Sequence, residues 1–372
     1  MYAKIDAYIE RLIRESTPDY TIWNVEKIRQ GKPASWNYID GCMITALLSM
    51  ADITGEQKYF DFAEHFIDSY ILEDGTIRTY KLDKYNLDDV NEGRVLFRLY
   101  EATGKEKYRK AADVLRHHME VQPRTFEGNF WHKAIYPNQV WLDGIYMAQV
   151  FYALYQRSFG NGDYSDIVSQ ICNVRARMFD ENKKLYYHGY DASRKAFWAD
   201  PVTGLSKNFW LRSIGWFSVA LVDILEIVTG EDHEKLAAIF RELMEGIDGY
   251  ADAETGMYYQ VPDQGGREGN YLETSGSSMI AYSMLKGARL GILGKEYAAK
   301  GQKTFSGIAA KYLSFRGEEL NLGGICLVAG LGPESDTRRD GTYEYYISEP
   351  VVENDAKGVA PFILCYTEIK RL

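Results

Sequence analysis

The chain of 372 residues is long for one ordinary core but suits a barrel or toroid built as one domain. Its 46% hydrophobic and 26% charged residues exclude a disordered chain. Forty-three Lys and Arg stand against 53 Asp and Glu, a formal charge of -10 without any basic stripe, which excludes nucleic acid as a partner.

Residues 1–16 carry Ile5, Tyr8, Ile9, Leu12 and Ile13 on one face, the pattern of an amphipathic outer helix. No apolar run here or later has the length of a signal peptide or a bilayer span, so no membrane association is expected. Residues 41–50 are apolar nearly all round, as a buried inner helix should be, and Ile53-Thr-Gly-Glu-Gln-Lys-Tyr-Phe60 follows. The same punctuation returns as Ala102-Thr-Gly-Lys-Glu-Lys-Tyr-Arg109 and Val228-Thr-Gly-Glu-Asp-His-Glu-Lys235, with looser copies at Phe159-Gly-Asn-Gly-Asp-Tyr164 and Leu293-Gly-Lys-Glu-Tyr297. In each copy a Gly is placed to end one helix in a left-handed cap, with the next helix starting within a few residues. The segments before the turns (144–155, 214–227 and 276–290 after the first) have inner-helix composition, and those after them, such as 105–120 and 234–246, are amphipathic. Residues 357–369 are again of inner type and pair with the N-terminal helix. Repeats of this kind bury their apolar faces by stacking on neighbours. The expected architecture is therefore all-α, an (α/α)6 toroid of six helical hairpins in a single catalytic domain over 1–372.

Aromatic residues make up 14% of the chain, with 29 Tyr and 7 Trp, which fits either a thick core or a cleft whose rings stack on sugar faces. Asn129-Phe-Trp-His132, Leu185-Tyr-Tyr-His188 and Met257-Tyr-Tyr-Gln260 echo one another. They read as short extended strands on one rim, with His132, His188 and Gln260 aimed at a ligand. Cys42, Cys172, Cys326 and Cys365 are scattered without a CxxC pair, as expected of reduced thiols in a cytoplasmic protein.

Each inner helix has a polar residue near its start: Asp40, Asp88 with Asp89, Asp143, Arg212, Glu273 and Asp355. Any one of these is ordinarily a helix cap. Six of them converging on one mouth, among aromatics, outline a carbohydrate site. Asp143, in Trp141-Leu-Asp-Gly144, has an indole two residues away and is the candidate general acid. A nearby carboxylate, Asp88 in preference to Asp89, would raise its pKa. Arg212, in Phe209-Trp-Leu-Arg-Ser-Ile-Gly-Trp216, can grip a carboxylate bidentately or serve as a structural ion pair, and Trp210 and Trp216 beside it are candidate stacking surfaces. No phosphate loop, dinucleotide fingerprint or His-x-x-x-His pattern is present, so neither cofactor nor metal is expected.

Trp36-Asn-Tyr38, Leu87-Asp88, Phe130-Trp-His-Lys133, Trp141-Leu-Asp-Gly144, Tyr187-His188, Phe209-Trp-x-Arg-Ser-Ile-Gly-Trp216 and Asn354-Asp355 together resemble the unsaturated rhamnogalacturonyl hydrolases, glycoside hydrolase family 105. The resemblance implies an (α/α)6 fold and a metal-free reaction on small oligosaccharides ending in the unsaturated uronic acid that pectin lyases leave. It implies that Asp143 protonates C4 of the C4=C5 double bond. Water then adds at C5 and the hemiketal opens to release the aglycone, typically rhamnose. It also carries substrate contacts onto Asn37, Tyr38, Asp88, His132, Lys133, Tyr136, Arg212 and Trp216. The chain departs from the family at Asn37, where His is expected, and at Ala134-Ile135, which leaves open the sugar beyond the cleavage point. Three rival readings stand beside this one: a conventional inverting glycosidase on saturated sugar, a sugar 2-epimerase using His132 and His188, and a non-catalytic sugar-binding protein.

Overall fold

The computed structural model describes residues 2–372; Met1, the first residue of the expected N-terminal helix, lies outside them. Six inner helical stretches start at Tyr38, Asp88, Leu142, Leu211, Thr274 and Ala356. Each packs on the next, and the last packs back on the first, so the ring closes. The outer layer is Gln57–Asp68, Glu106–Val121, Ser165–Met178, Gly230–Asp248, Glu296–Tyr312 and, completing the sixth pair, Tyr2–Arg14. Ile5, Tyr8, Ile9 and Leu12 of that first helix are buried and Ile13 half-buried, as its periodicity requires. This is the (α/α)6 toroid.

In the first two copies the turns form as their glycines demand, whereas in the fifth it is Gly291, not Gly294, that takes the left-handed conformation. Gly55 and Gly104 take φ of 70° and 67°, and their N–H groups close back on the Ala51 and Tyr100 carbonyls at 2.9 and 2.8 Å. The third copy differs. The inner helix stops at Leu225, and Gly230 opens the outer helix four residues before the expected start at 234. Glu231 and Asp232 in its first turn favour that early start through the helix dipole.

Two inner helices are irregular. The stretch 88–103 tightens to 3-10 geometry over Glu92–Val95, and the stretch 142–158 widens to a π-helix over Ile145–Gln149. These are the helices whose first turns carry Asp88 and Asp143.

Below the mouth the ring is filled by packed side chains. Tyr146 stacks on Trp216 with centroids 4.4 Å apart. Beneath them Asp223 meets Arg94 at 2.6 Å and Lys286 at 2.8 Å and accepts the Tyr282 hydroxyl at 2.9 Å. Arg94 and Asp223 belong to inner helices that do not neighbour each other, so this triad spans the ring. Among the described residues no helix is long and apolar enough to cross a membrane.

Candidate active site

The aromatic echoes act as tethers. The carbonyls of His132, His188 and Gln260 accept the N–H groups of Leu87, Leu142 and Leu211 at 3.2, 3.1 and 3.0 Å. Each of those leucines immediately precedes a candidate functional residue: Asp88, Asp143 or Arg212. One repeated backbone contact therefore fixes where three side chains enter the mouth. Extended structure is shorter than expected. Leu185–Tyr186 and Gly189–Asp191 are strands, whereas Phe130 and Tyr259 make only isolated bridges and His132 lies in a bend. The strand Gln139–Trp141 pairs with Gly189–Asp191, with Trp141 opposite Gly189, which seats His188 beside Leu142.

Asp143 is 8% exposed. Its Oδ2 lies 3.3 Å from His188 Nε2, yet neither atom is in hydrogen-bonding geometry with any partner. The other ring nitrogen, Nδ1, is 2.6 Å from the Tyr346 hydroxyl. Burial lifts the Tyr346 pKa far above the ordinary phenol value, so the hydroxyl keeps its proton beside Nδ1. With the Tyr346 hydroxyl donating to Nδ1, a neutral His188 presents Nε2–H to Asp143. Trp141 forms the wall beside the acid, stacked on His132 at 4.4 Å and packed on Tyr136 at 4.6 Å. A β-carbon at Gly144 would press on His132 Nδ1 at 3.1 Å, so a glycine keeps this ring seated close behind Asp143.

Asp88 sits 2.6 Å from Lys133 Nζ and 3.5 Å from His132 Nε2. Burial by itself would lift its carboxyl, but the charge and hydrogen bond of Lys133, with smaller help from His132 and Arg339, together outweigh burial and hold it below the usual range. Burial also pushes His132 down to about 4, so this imidazole is neutral at pH 7 and the compensating charge comes from Lys133. Asp89 is pushed up to about 6, first by burial and then by the Asp88 charge, while its carbonyl accepts from Trp36 Nε1 at 2.7 Å. Of the two neighbours, Asp88 is the one joined to His132 and Lys133.

Arg212 is 1% exposed. Nη2 donates to the Cys326 carbonyl at 2.7 Å, Nη1 has no partner, and the nearby carboxylates of Glu273 and Asp355 supply opposite charge. Trp210 packs on His188 at 4.7 Å and, like Trp216, is buried in the wall. Asn37 caps its helix: Oδ1 accepts the Ile39 and Asp40 N–H groups, and Nδ2 donates to Asp40 at 2.6 Å. The half-buried Tyr38 lies edge-on to Trp216 at 6.4 Å.

Sequence patterning overlooked Tyr346, the Glu26–Lys357 pair at 3.0 Å and Arg339. The signals that were present are the cluster Tyr343-Glu-Tyr-Tyr346 and the doublet Arg338-Arg339 inside a glycine-bounded loop.

Four similar proteins and families bear on this site. The family model described as Glycosyl Hydrolase Family 88 matches residues 8–372. A structure of a family 105 glycoside hydrolase from C. acetobutylicum superposes with a TM-score of 0.91 at 39% identity, covering 99% of this chain and 100% of that one. Protein Atu3128 of Agrobacterium fabrum is 42% identical over 190 residues, 50% of this chain and 81% of its own. The unsaturated rhamnogalacturonyl hydrolase YesR of Bacillus subtilis is 24% identical over 265 residues, 69% of this chain and 72% of its own.

Proposed function

This chain belongs to glycosyl hydrolase family 88 and to glycoside hydrolase family 105, and from that premise we propose that it removes the unsaturated uronic acid from the non-reducing end of rhamnogalacturonan-type oligosaccharides, with Asp143 as proton donor. It is a glycoside hydrolase, which sets aside the epimerase and the binding protein. The observation that carries the residue assignment is the Asp143–His188 contact at 3.3 Å, buried beside Trp141 and without a hydrogen bond on either facing atom. A carboxyl with an uncommitted oxygen at the mouth of the ring can give its proton to carbon.

Asp143 protonates C4. Water adds at C5 and returns a proton to the Asp143 carboxylate, and His188 Nε2–H steadies that anion between steps. The hemiketal at C5 opens the ring, leaving a hemiacetal at C1 that expels the aglycone. Asp88, held by Lys133 and His132, accepts hydrogen bonds from ring hydroxyls, while Trp141, Tyr136, Trp210, Trp216, Tyr38 and Asn37 shape the walls. Arg212 offers the uncommitted Nη1 to the uronate carboxylate. The unpaired cysteines agree with placing this work in the reducing cytoplasm.

The test is to incubate the protein with a lyase-generated unsaturated uronyl-rhamnose and follow the ultraviolet band of the conjugated double bond. The band should disappear, oxygen from labelled water should appear on C5, and the saturated disaccharide should stay intact. Label on C1, or comparable turnover of the saturated sugar, overturns the mechanism in favour of an inverting glycosidase.

A lysine at 212 can hold the Cys326 carbonyl or the substrate but cannot fork to both. Arg212→Lys is therefore expected to lower kcat/KM about 10- to 100-fold, the worth of one hydrogen bond to a charged group. An unchanged kcat/KM returns Arg212 to a structural ion pair.

A further inference from the structure

Two cations at the mouth, Arg212 and Arg339, make no ion pair among the described residues, and of these only Arg212 lies near two fully buried carboxylates, Glu273 and Asp355. Lys133 has Asp88 at 2.6 Å, Lys357 has Glu26 at 3.0 Å and Asp355 at 3.1 Å, and Arg212 has Glu273 and Asp355 nearby. Arg339 is half-buried on the loop between Gly330 and Gly341, and among the described residues no carboxylate pairs with it. Its neighbour Arg338 has Glu349 at 2.9 Å. Asp336, on the same loop, is close enough to feel the Arg339 charge but makes no ion pair with it.

The loop is built to hold that side chain in place. Gly332 N–H donates to the Arg339 carbonyl at 2.8 Å, and Gly330 N–H donates to the Tyr345 hydroxyl at 3.0 Å. Leu331 is fully buried against Trp141 and Tyr136. Its Nη2 occupies the space beside Gly330 that a β-carbon would take. A β-carbon there would overlap it and stand 3.2 Å from Cζ3 of the Trp141 indole. Arg339 thus borders the same indole as the proposed acid. Its field reaches Asp88 and also Tyr346, the tyrosine that holds His188 against Asp143.

We propose that Arg339 is a substrate-binding residue whose guanidinium receives the carboxylate of the unsaturated uronate. This rests on the hydrolase reading above and deepens it. The C6 carboxylate is attached to C5, one bond from the carbon that Asp143 protonates, so its partner must lie near the acid, and Arg339 borders the indole that walls that part of the mouth. Arg212 contributes a hydrogen bond from a cation whose charge is already matched, whereas Arg339 contributes charge.

The experiment compares kcat/KM for the unsaturated uronyl-rhamnose and for its C6 methyl ester, in the wild type, Arg339→Gln and Arg339→Lys. The wild type should prefer the free acid. Arg339→Gln should lose about 10- to 100-fold on the acid, mainly in KM, and less than about twofold on the ester, with Arg339→Lys in between. An equal loss on acid and ester, or no loss on either, overturns the proposal, as does a charge preference that disappears in Arg212→Gln but survives in Arg339→Gln. Should the wild type consume neither compound, it is the hydrolase reading that fails. Tryptophan fluorescence titration with the free unsaturated uronic acid then still decides: equal affinity in wild type and Arg339→Gln overturns the assignment, and weaker binding by a natively folded Arg339→Gln supports it.

Discussion

Replacing Asp143 with Asn is expected to reduce kcat on an unsaturated uronyl disaccharide by at least ~10²–10⁴-fold, the usual contribution of a positioned general acid, while the unfolding midpoint stays near that of the wild type. The amide has nearly the shape of the carboxyl, and its oxygen can still face His188 Nε2, where the wild type holds 3.3 Å. What it lacks is a proton to give to carbon. Because the facing carboxyl oxygen makes no hydrogen bond in the fold, little stability should be lost with it. Initial rates from the ultraviolet band and a thermal melt on the same preparation check both halves. Activity within a few-fold of wild type would remove Asp143 from the mechanism.

The second large effect is on stability. Asp223→Ala is expected to destabilise the protein by about 3–5 kcal/mol, the range for removing one member of a buried ion pair. Lys286 would keep Glu226 at 2.8 Å, but Arg94 would be stranded: Asp223 is its only ion-pair partner among the described residues, and its Nη1 already has no partner. The pH dependence follows from the direction of the shift. Burial works against the Asp223 carboxylate, yet Lys286 and Arg94 outweigh it and bring its pKa down to about 2. A depressed carboxyl contributes stability that is complete above the ordinary aspartate range, near ~4, and is lost as pH falls toward the folded value. Denaturant melts of wild type should therefore weaken between about pH 4 and 2 by an amount missing from Asp223→Ala. Identical acid limbs in the two proteins would show that the triad does not hold the ring. Activity of the folded fraction should survive, the opposite pattern to Asp143→Asn.

The toroid was legible because its information is local. A glycine at 55 or 104 needs only its own positive φ to end a helix, and an apolar run needs only its own length to belong inside. Asp88, Asp143 and Arg212 were visible for the same reason, since each stands one or two residues into a helix that the pattern already marks. Arg339 comes from irregular chain after the fifth hairpin and Tyr346 from the six-residue helix Tyr343–Ser348 that follows it, too short for any period to predict which way a side chain turns. Glu26 arrives on the short Val25–Gln30 helix, which has no buried residue to announce it. Asn37 shows the converse. Its family position suggests a substrate contact, yet its side-chain oxygen is committed to two backbone N–H groups of its own helix.

The π-helical turn at Ile145–Gln149 begins two residues after Asp143. Such a turn accommodates one residue more than the α-helix it interrupts. Everything on its N-terminal side is therefore swung by about 100° relative to an unbroken helix, because each α-helical residue advances about that angle. From Val150 onward the helix can keep its wall contacts with Phe97 and Gly93 undisturbed, while the mouth end takes a different heading. Aim and anchorage are thus uncoupled within one rod. A toroid assembled from duplicated hairpins could have re-aimed its acid through a single inserted codon, without redesigning the wall that keeps the ring closed.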